Sequence, residues 1–251
     1  MNVSASNTEA LVQYHVWDRT IRIFHWVNVL CVIGLIAVGL VILNGKALGI
    51  TSDGKIMLKT IHVYIGYLFA FNLGWRIIWG FLGNRYARWA TILPFGDAYK
   101  KSLGQFVEGA KKGNPPHYLG HNPVARLMVA LLFLLLSLQA VTGLVLAGTD
   151  IYFPPFGQVI AEWVAEDPSK VAEIKPYSKV NVNPDSYQTM RSVRKPFITL
   201  HVYTFYVLLG AVLLHLLGVV VSELRERSGL VSAMFTGKKV FHEQPVDLDD
   251  Q

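Results

Sequence analysis

Four histidines stand in or at the edge of long apolar runs, and their spacing suits them to hold metal-centred cofactors inside a membrane. His201 and His215 lie fourteen residues apart in one such run, 197–221. A helix advances about 1.5 Å and 100° per residue, so both imidazoles leave one face at depths about 21 Å apart. His25 and His62 lie near the starts of two other apolar runs. Imidazole is a common axial ligand of haem iron, and one helix with two ligand levels plus two helices with one each suits a pair of bis-histidine haems.

The elements that must position these side chains follow from composition. Of 251 residues, 52% are hydrophobic and 16% charged, against about 25% charged in soluble domains. Four runs reach the roughly 20 apolar residues that cross a hydrocarbon layer, at about 21–43, 61–82, 124–147 and 197–221. Backbone groups in lipid must bond internally, which makes these runs helices. The expected fold is an all-α membrane protein: a four-transmembrane-helix bundle holding two haems, with a long extracytoplasmic loop between helices 3 and 4. One domain spans 1–251, with an outer loop at 148–196 and a polar, solvated C-terminal tail at 238–251 that carries His242.

The net charge of +6 arises from basic residues flanking the apolar runs rather than from an exposed stripe, which argues against nucleic acid as a partner. Arg19 and Arg22 stand at the start of the first run, six lysines and arginines separate the second from the third with Arg126 at the start of the third, and Arg225, Arg227, Lys238 and Lys239 follow the fourth. By the positive-inside rule those segments are cytoplasmic, which gives a multi-pass protein of the bacterial cytoplasmic (inner) membrane with both termini inside. The first run reads as its own insertion signal rather than a cleaved leader. The single cysteine, Cys31, excludes an intrachain disulfide, covalent haem attachment through two cysteines, and a four-cysteine iron–sulfur cluster supplied by this chain.

Depth then pairs the ligands. With the fourth helix running inward, His201 is near the outer face and His215 near the inner face. Antiparallel threading puts His62 outside and His25 inside, so the pairs are His62/His201 and His25/His215, each holding one non-covalent haem b. A single intramembrane histidine is as easily a packing residue; four matched in depth need a different account.

Arg76, fourteen residues after His62, shares its face at the inner depth, where it either snorkels to headgroups or contacts a haem propionate or quinone. Arg22, one turn before His25, has the same two readings. Gly34, Gly66, Gly143, Gly210 and Gly218 offer room for a flat macrocycle or for plain helix contact. In the outer loop, Phe156, Val159, Ile160, Trp163 and Val164 follow helical apolar spacing, marking a short amphipathic helix that lies on the membrane, caps the bundle or docks a partner.

The run Ile21-Arg22-Ile23-Phe24-His25-Trp26, the blocks Gly83-Asn84-Arg85-Tyr86-Ala87-Arg88 and Gly120-His121-Asn122-Pro123, and the His201/His215 pair resemble the b-type cytochrome subunit of membrane-bound nickel–iron hydrogenases, within the bacterial cytochrome b561-like group. The resemblance covers nearly all of the four runs in order. It implies a four-helix dihaem protein that takes electrons from an extracytoplasmic redox subunit, iron–sulfur hydrogenase-like or a cytochrome c, and passes them to membrane quinone. It implies His62 and His201 on the outer haem, His25 and His215 on the inner haem, and a quinone pocket near His215 with His121 and Asn122 as contributors. Asn122-Pro123 equally suits a helix cap. The region 150–195 shows no comparable match, so the donor stays open, as does a homo-oligomer.

On this reading the chain is an electron-transfer subunit of an oxidoreductase rather than a complete enzyme. A runner-up is a stand-alone b561-like superoxide oxidase, for which Arg191, Arg194 and Lys195 would form a basic approach to one haem. A third class, a haem-free transporter or metal site, conflicts with the wide separation of the two histidine levels and with the absence of repeat symmetry.

Overall fold

The computed structural model describes residues 11–248. Four long helices carry the apolar runs: α1 (Arg19–Leu43), α2 (Ser52–Leu82), α5 (Pro123–Ile151) and α7 (Pro184–Glu226). Shorter helices α3 (Trp89–Ile92), α4 (Gly96–Lys111), α6 (Gly157–Val164) and α8 (Leu230–Thr236) fill the connections. Each long helix has 25 or more residues, enough at about 1.5 Å per residue to cross a ~30 Å apolar layer. Their apolar windows are mostly unburied by protein, with Leu30, Phe71, Phe81 and Leu224 all at least 70% exposed. In water such faces would be costly; against lipid tails they are the favourable arrangement. The chain is a helical membrane protein.

The helices outrun the apolar segments that signal them. α2 starts nine residues before the expected span, and α7 starts at Pro184 rather than 197. The outer loop therefore contracts from 148–196 to about 152–183. Pro196 lies inside α7, although proline removes one intrahelical donor and usually marks a boundary. The Asn183 side chain caps this extension, accepting from the amides of Asp185 and Ser186 at 3.1 and 3.0 Å.

The chain forms two compact units. Unit 1 comprises the chain up to His25, Arg76–Leu132 and the chain from Ala211 onward. Within it, strands β1 (Val12–His15) and β2 (Lys238–Phe241) pair antiparallel, Val12 opposite Phe241 and His15 opposite Lys238. This ladder adds two short strands to the expected helical fold, and it corrects one expectation: residues 238–241 are paired rather than part of a free solvated tail. Phe241 and Lys239 are buried, while His242 is exposed as expected. Val16, Trp17, Ile21, Ala87, Leu119, Ala233 and Phe241 form one core, tying both ends of the chain to the 83–123 connection. Gly237 makes the close approach possible. It sits at φ +82, its carbonyl accepts from the amides of Val16 and Trp17, and a Cβ there would meet the Trp17 carbonyl at 2.5 Å.

Side-chain caps complete unit 1. Asp18 accepts from the Ile21 amide at 2.8 Å and from Trp79 Nε1 at 2.9 Å. Asn84 caps the 3-10 turn Arg85–Ala87 and donates to the Val16 carbonyl at 2.8 Å. The Asp247 carboxylate accepts from the amides of Leu119 and Gly120 at 2.7 and 3.0 Å.

Unit 2 comprises Trp26–Trp75 and Phe133–Gly210. Its connection between α5 and α7 has a small core of Val164, Val182 and Met190, packed by Tyr152, Ile160, Ile174 and Tyr187. The expected amphipathic helix is present as α6, but its buried face is rotated. Gly157, Ala161 and Val164 turn inward, leaving Phe156, Val159 and Trp163 exposed. Small residues face the protein because they permit close backbone approach, which apolar periodicity alone does not register.

Candidate haem sites and an adjoining polar cavity

Unit 2 holds His62 of α2 and His201 of α7. Their ring centres are 6.4 Å apart, with planes at 74°. Two metal–nitrogen bonds of about 2 Å, each followed by about 1 Å from nitrogen to ring centre, sum to about 6 Å. The gap between the rings is thus the width of one iron ligated on both sides. Among the described residues no three His, Cys, Asp or Glu side chains converge on a point. Two protein ligands suit haem iron, whose porphyrin supplies the other four, better than the four-ligand demand of zinc.

The protonation of His201 follows from its neighbours. Thr142 of α5 is buried, and its hydroxyl lies 2.6 Å from the Leu138 carbonyl and 2.8 Å from His201 Nδ1. The hydroxyl has one proton, which goes to the carbonyl as the only pure acceptor of the two; its oxygen then accepts from Nδ1–H. His201 is left with a bare Nε2 lone pair, the form that binds metal. Gln139 donates to the His201 backbone carbonyl at 3.2 Å.

Glycine brings the helices up to both rings. A Cβ at Gly143 would lie 3.5 Å from His201 Cε1, and one at Gly39 would lie 3.3 Å from His62 Cε1. Gly66, one turn beyond His62, faces open space within 4 Å. His62 Nδ1 is buried without a hydrogen-bond partner among the described residues, whereas His201 is braced by Thr142.

Unit 1 holds His25 and His215, which stand within electrostatic reach of each other. Arg76 is 4% exposed, so protein groups surround its guanidinium. It donates to the Ala87 carbonyl at 2.9 Å and lies over the rings of Trp89 and Phe24, at 5.0 and 6.0 Å from their centres. Arg22 donates to the Phe235 carbonyl at the end of α8. Both arginines thus bind backbone carbonyls, where an isolated charge would be costly. Asn122 is the side-chain cap of α5, accepting from the Ala125 amide at 2.8 Å.

A cavity of about 120 Å³ opens in unit 1, lined among others by Trp17, Gly120, His121, Asn122, Glu226 and Lys239. His121 packs on Trp17 with ring centres 4.9 Å apart. Burial, with the Lys239 cation second and Arg76 and His215 adding to it, pushes His121 down to about 3. It is therefore neutral at physiological pH. Lys239 Nζ donates to the carbonyls of Gly120 and Tyr118 at 3.0 and 3.3 Å. Burial pushes Lys239 down to about 8, with Glu226, Asp247 and Glu223 opposing that fall. A neutral imidazole, a lysine titrating near neutrality and a carboxylate around one cavity are equipped to exchange protons.

Sequence reasoning singled out the four histidines, and the structure gathers them as His62 with His201 and His25 with His215. It did not single out Thr142, Gly39, Gln139 or Lys239. A threonine and a glycine in an apolar run read as packing, and Lys239 reads as one more basic flank. The only signal for Thr142 is its place beside Gly143.

Residues 16–237 match the family model described as prokaryotic cytochrome b561. A probable Ni/Fe-hydrogenase B-type cytochrome subunit of Rhizobium leguminosarum bv. viciae is 28% identical over 92% of this chain and 90% of its own length. A probable Ni/Fe-hydrogenase 1 B-type cytochrome subunit of Escherichia coli (strain K12) is 31% identical over 61% of this chain and 69% of its own. The Rhodobacter capsulatus relative of the same description is 23% identical over 93% and 84%. No solved structure matches.

Proposed function

We propose, since the chain belongs to the prokaryotic cytochrome b561 family, that it is the dihaem membrane subunit of a nickel–iron hydrogenase complex, carrying electrons between an extracytoplasmic iron–sulfur partner and membrane quinone. The observation that carries this reading is the His62/His201 pair, one iron wide and braced by Thr142. The names of the relatives support the partner assignment.

In this mechanism His62 and His201 hold the outer haem, and His25 and His215 the inner one. Haem b supplies reversible one-electron storage at each level. The protein would hold the four imidazoles in place, exclude water and set the local field. The flanking charges orient the chain in the cytoplasmic membrane with both termini inside. The cavity beside Trp17 receives the quinone head, with His121 and Asn122 at its wall. Lys239 and Glu226 exchange the protons that accompany two-electron reduction of a quinone, at the face where the bulk is cytoplasmic. Arg76 and Arg22 hold the loops that frame this cavity.

The test is hydrogen-dependent reduction of the b haems in membranes containing the chain with its hydrogenase, followed by reoxidation on adding a quinone analogue. Reduction and reoxidation through the chain support the reading. Diffusion-limited consumption of superoxide by the purified chain alone would overturn it in favour of a stand-alone oxidase.

A further inference from the structure

At the end of unit 2 where α2 and α7 begin and α5 finishes, three charges meet below the surface. Asp150 of α5 binds both Lys59 of α2 and Arg194 of α7, the latter at 2.5 Å. Their side chains are only 16–21% exposed. Lys59 precedes His62 by three residues and Arg194 precedes His201 by seven, one and two helical turns on the same faces as the two ligands. Asp150 follows Gly143 by seven, on the face that touches His201. The cluster therefore stands about 5 to 10 Å along the helices from the histidine level, Lys59 nearest.

The balance of the cluster is uneven: two cations share one carboxylate. Arg194 Nε is also buried without a hydrogen-bond partner among the described residues. A partly dry site with a surplus positive charge and an unused guanidinium donor favours a second anion. Space for one exists. A cavity of about 150 Å³ is lined by Thr149, Asp150, Tyr152, Tyr177, Tyr187, Arg191 and Arg194. Burial pushes Tyr152 up, so its hydroxyl stays a neutral donor. Around the Asp150 carboxylate, two arginines and three tyrosines supply donors to the wall, and Lys59 stands against one of those tyrosines, its Nζ 5.2 Å from the Tyr177 ring centre; the planar arginine fork matches a carboxylate best.

We propose that Lys59 and Arg194, positioned by Asp150, form a carboxylate site that takes a propionate of the haem held by His62 and His201; this rests on the haem reading above. The same helix faces then carry the iron ligands and the partners of the macrocycle's acidic edge. Asp150 keeps the two cations together before the cofactor arrives and lowers the repulsion between them.

The experiment loads the full chain, in a His215→Ala background that leaves only the His62/His201 site complete, with haem b or with its dimethyl ester, whose propionates are uncharged. Esterification is expected to weaken binding about tenfold or more, the scale of one charge-assisted pair, and to cost less than about twofold in Arg194→Met and Lys59→Met. Arg194→Lys retains part of the preference, which separates lost charge from lost fold. Equal losses with and without the cations would overturn the site while leaving the haem reading intact. A spectral response of the haem-loaded chain to acetate, abolished by Arg194→Met, would instead assign the pocket to free carboxylates. Failure of the unmodified chain to bind haem b at all would sink the earlier reading first.

Discussion

The two histidine pairs share a ligand chemistry and differ in their surroundings. In unit 2 the rings face each other across an iron-sized gap, with glycines pressed against both and a threonine holding one tautomer. Its charged residues gather in a cluster one to two turns away, two cations around one carboxylate. In unit 1 the histidines share their neighbourhood with His121, Lys239 and a polar cavity walled by connecting loops. In the first, the charged groups stand one to two turns from the rings, and apolar helix and glycine contacts surround the pair itself. The second puts exchangeable protons beside the cofactor level, as a step that couples electrons to protons requires.

The contrast is broken most severely by filling the glycine contact in unit 2. Gly39→Leu would drive side-chain atoms into the His62 ring, already 3.3 Å from an added Cβ. The expected outcome is loss of the unit 2 haem with the unit 1 haem retained, read by haem content per chain. Asp247→Ala acts on the other side. It leaves the amides of Leu119 and Gly120 without their carboxylate, at a cost of about 2–3 kcal/mol. Thermal release of the unit 1 haem should come earlier, with the unit 2 haem unchanged.

A pH series sharpens the distinction further. His121 titrates near 3 when folded and near 6.5 in the unfolded chain, so the native state binds fewer protons between those values. Its contribution to stability is complete above 6.5 and declines as pH falls toward 3. Between pH 8 and 5 the decline is about 2 kcal/mol, and His121→Gln should flatten it in thermal melts. The smallest effect is electronic. Thr142→Val removes the acceptor from His201 Nδ1–H, making the imidazole a weaker donor to ferric iron. Loss of one hydrogen bond of about 1 kcal/mol corresponds to a rise of about 40 mV in the unit 2 haem potential alone, measured by redox titration.

Much of this arrangement is legible in the chain itself. The spans are long apolar runs that only helices can satisfy in lipid, and the fourteen-residue spacing of His201 and His215 fixes a shared face. Hydropathy fails where helices continue past the apolar layer. Residues 52–60 and 184–196 are helical stretches interrupted by charged residues, the latter running through Pro196, and they carry Lys59 and Arg194. The β1–β2 ladder joins segments more than two hundred residues apart, a pairing that no local pattern announces. For the same reason Lys239 reads as a flanking positive charge until its strand is paired and its amine is seen against the Gly120 carbonyl. The buried face of α6 departs from its apolar periodicity because the small residues Gly157 and Ala161 turn inward there.

On the proposed function, each unit holds one haem between two histidines. Its most direct test is the haem-to-protein ratio of the purified chain by pyridine haemochrome, compared with His62→Ala and His215→Ala. The account predicts two non-covalent b haems, with one lost in each variant and the survivor spectrally distinct. A chain without haem, or one whose haem content ignores both substitutions, would contradict it.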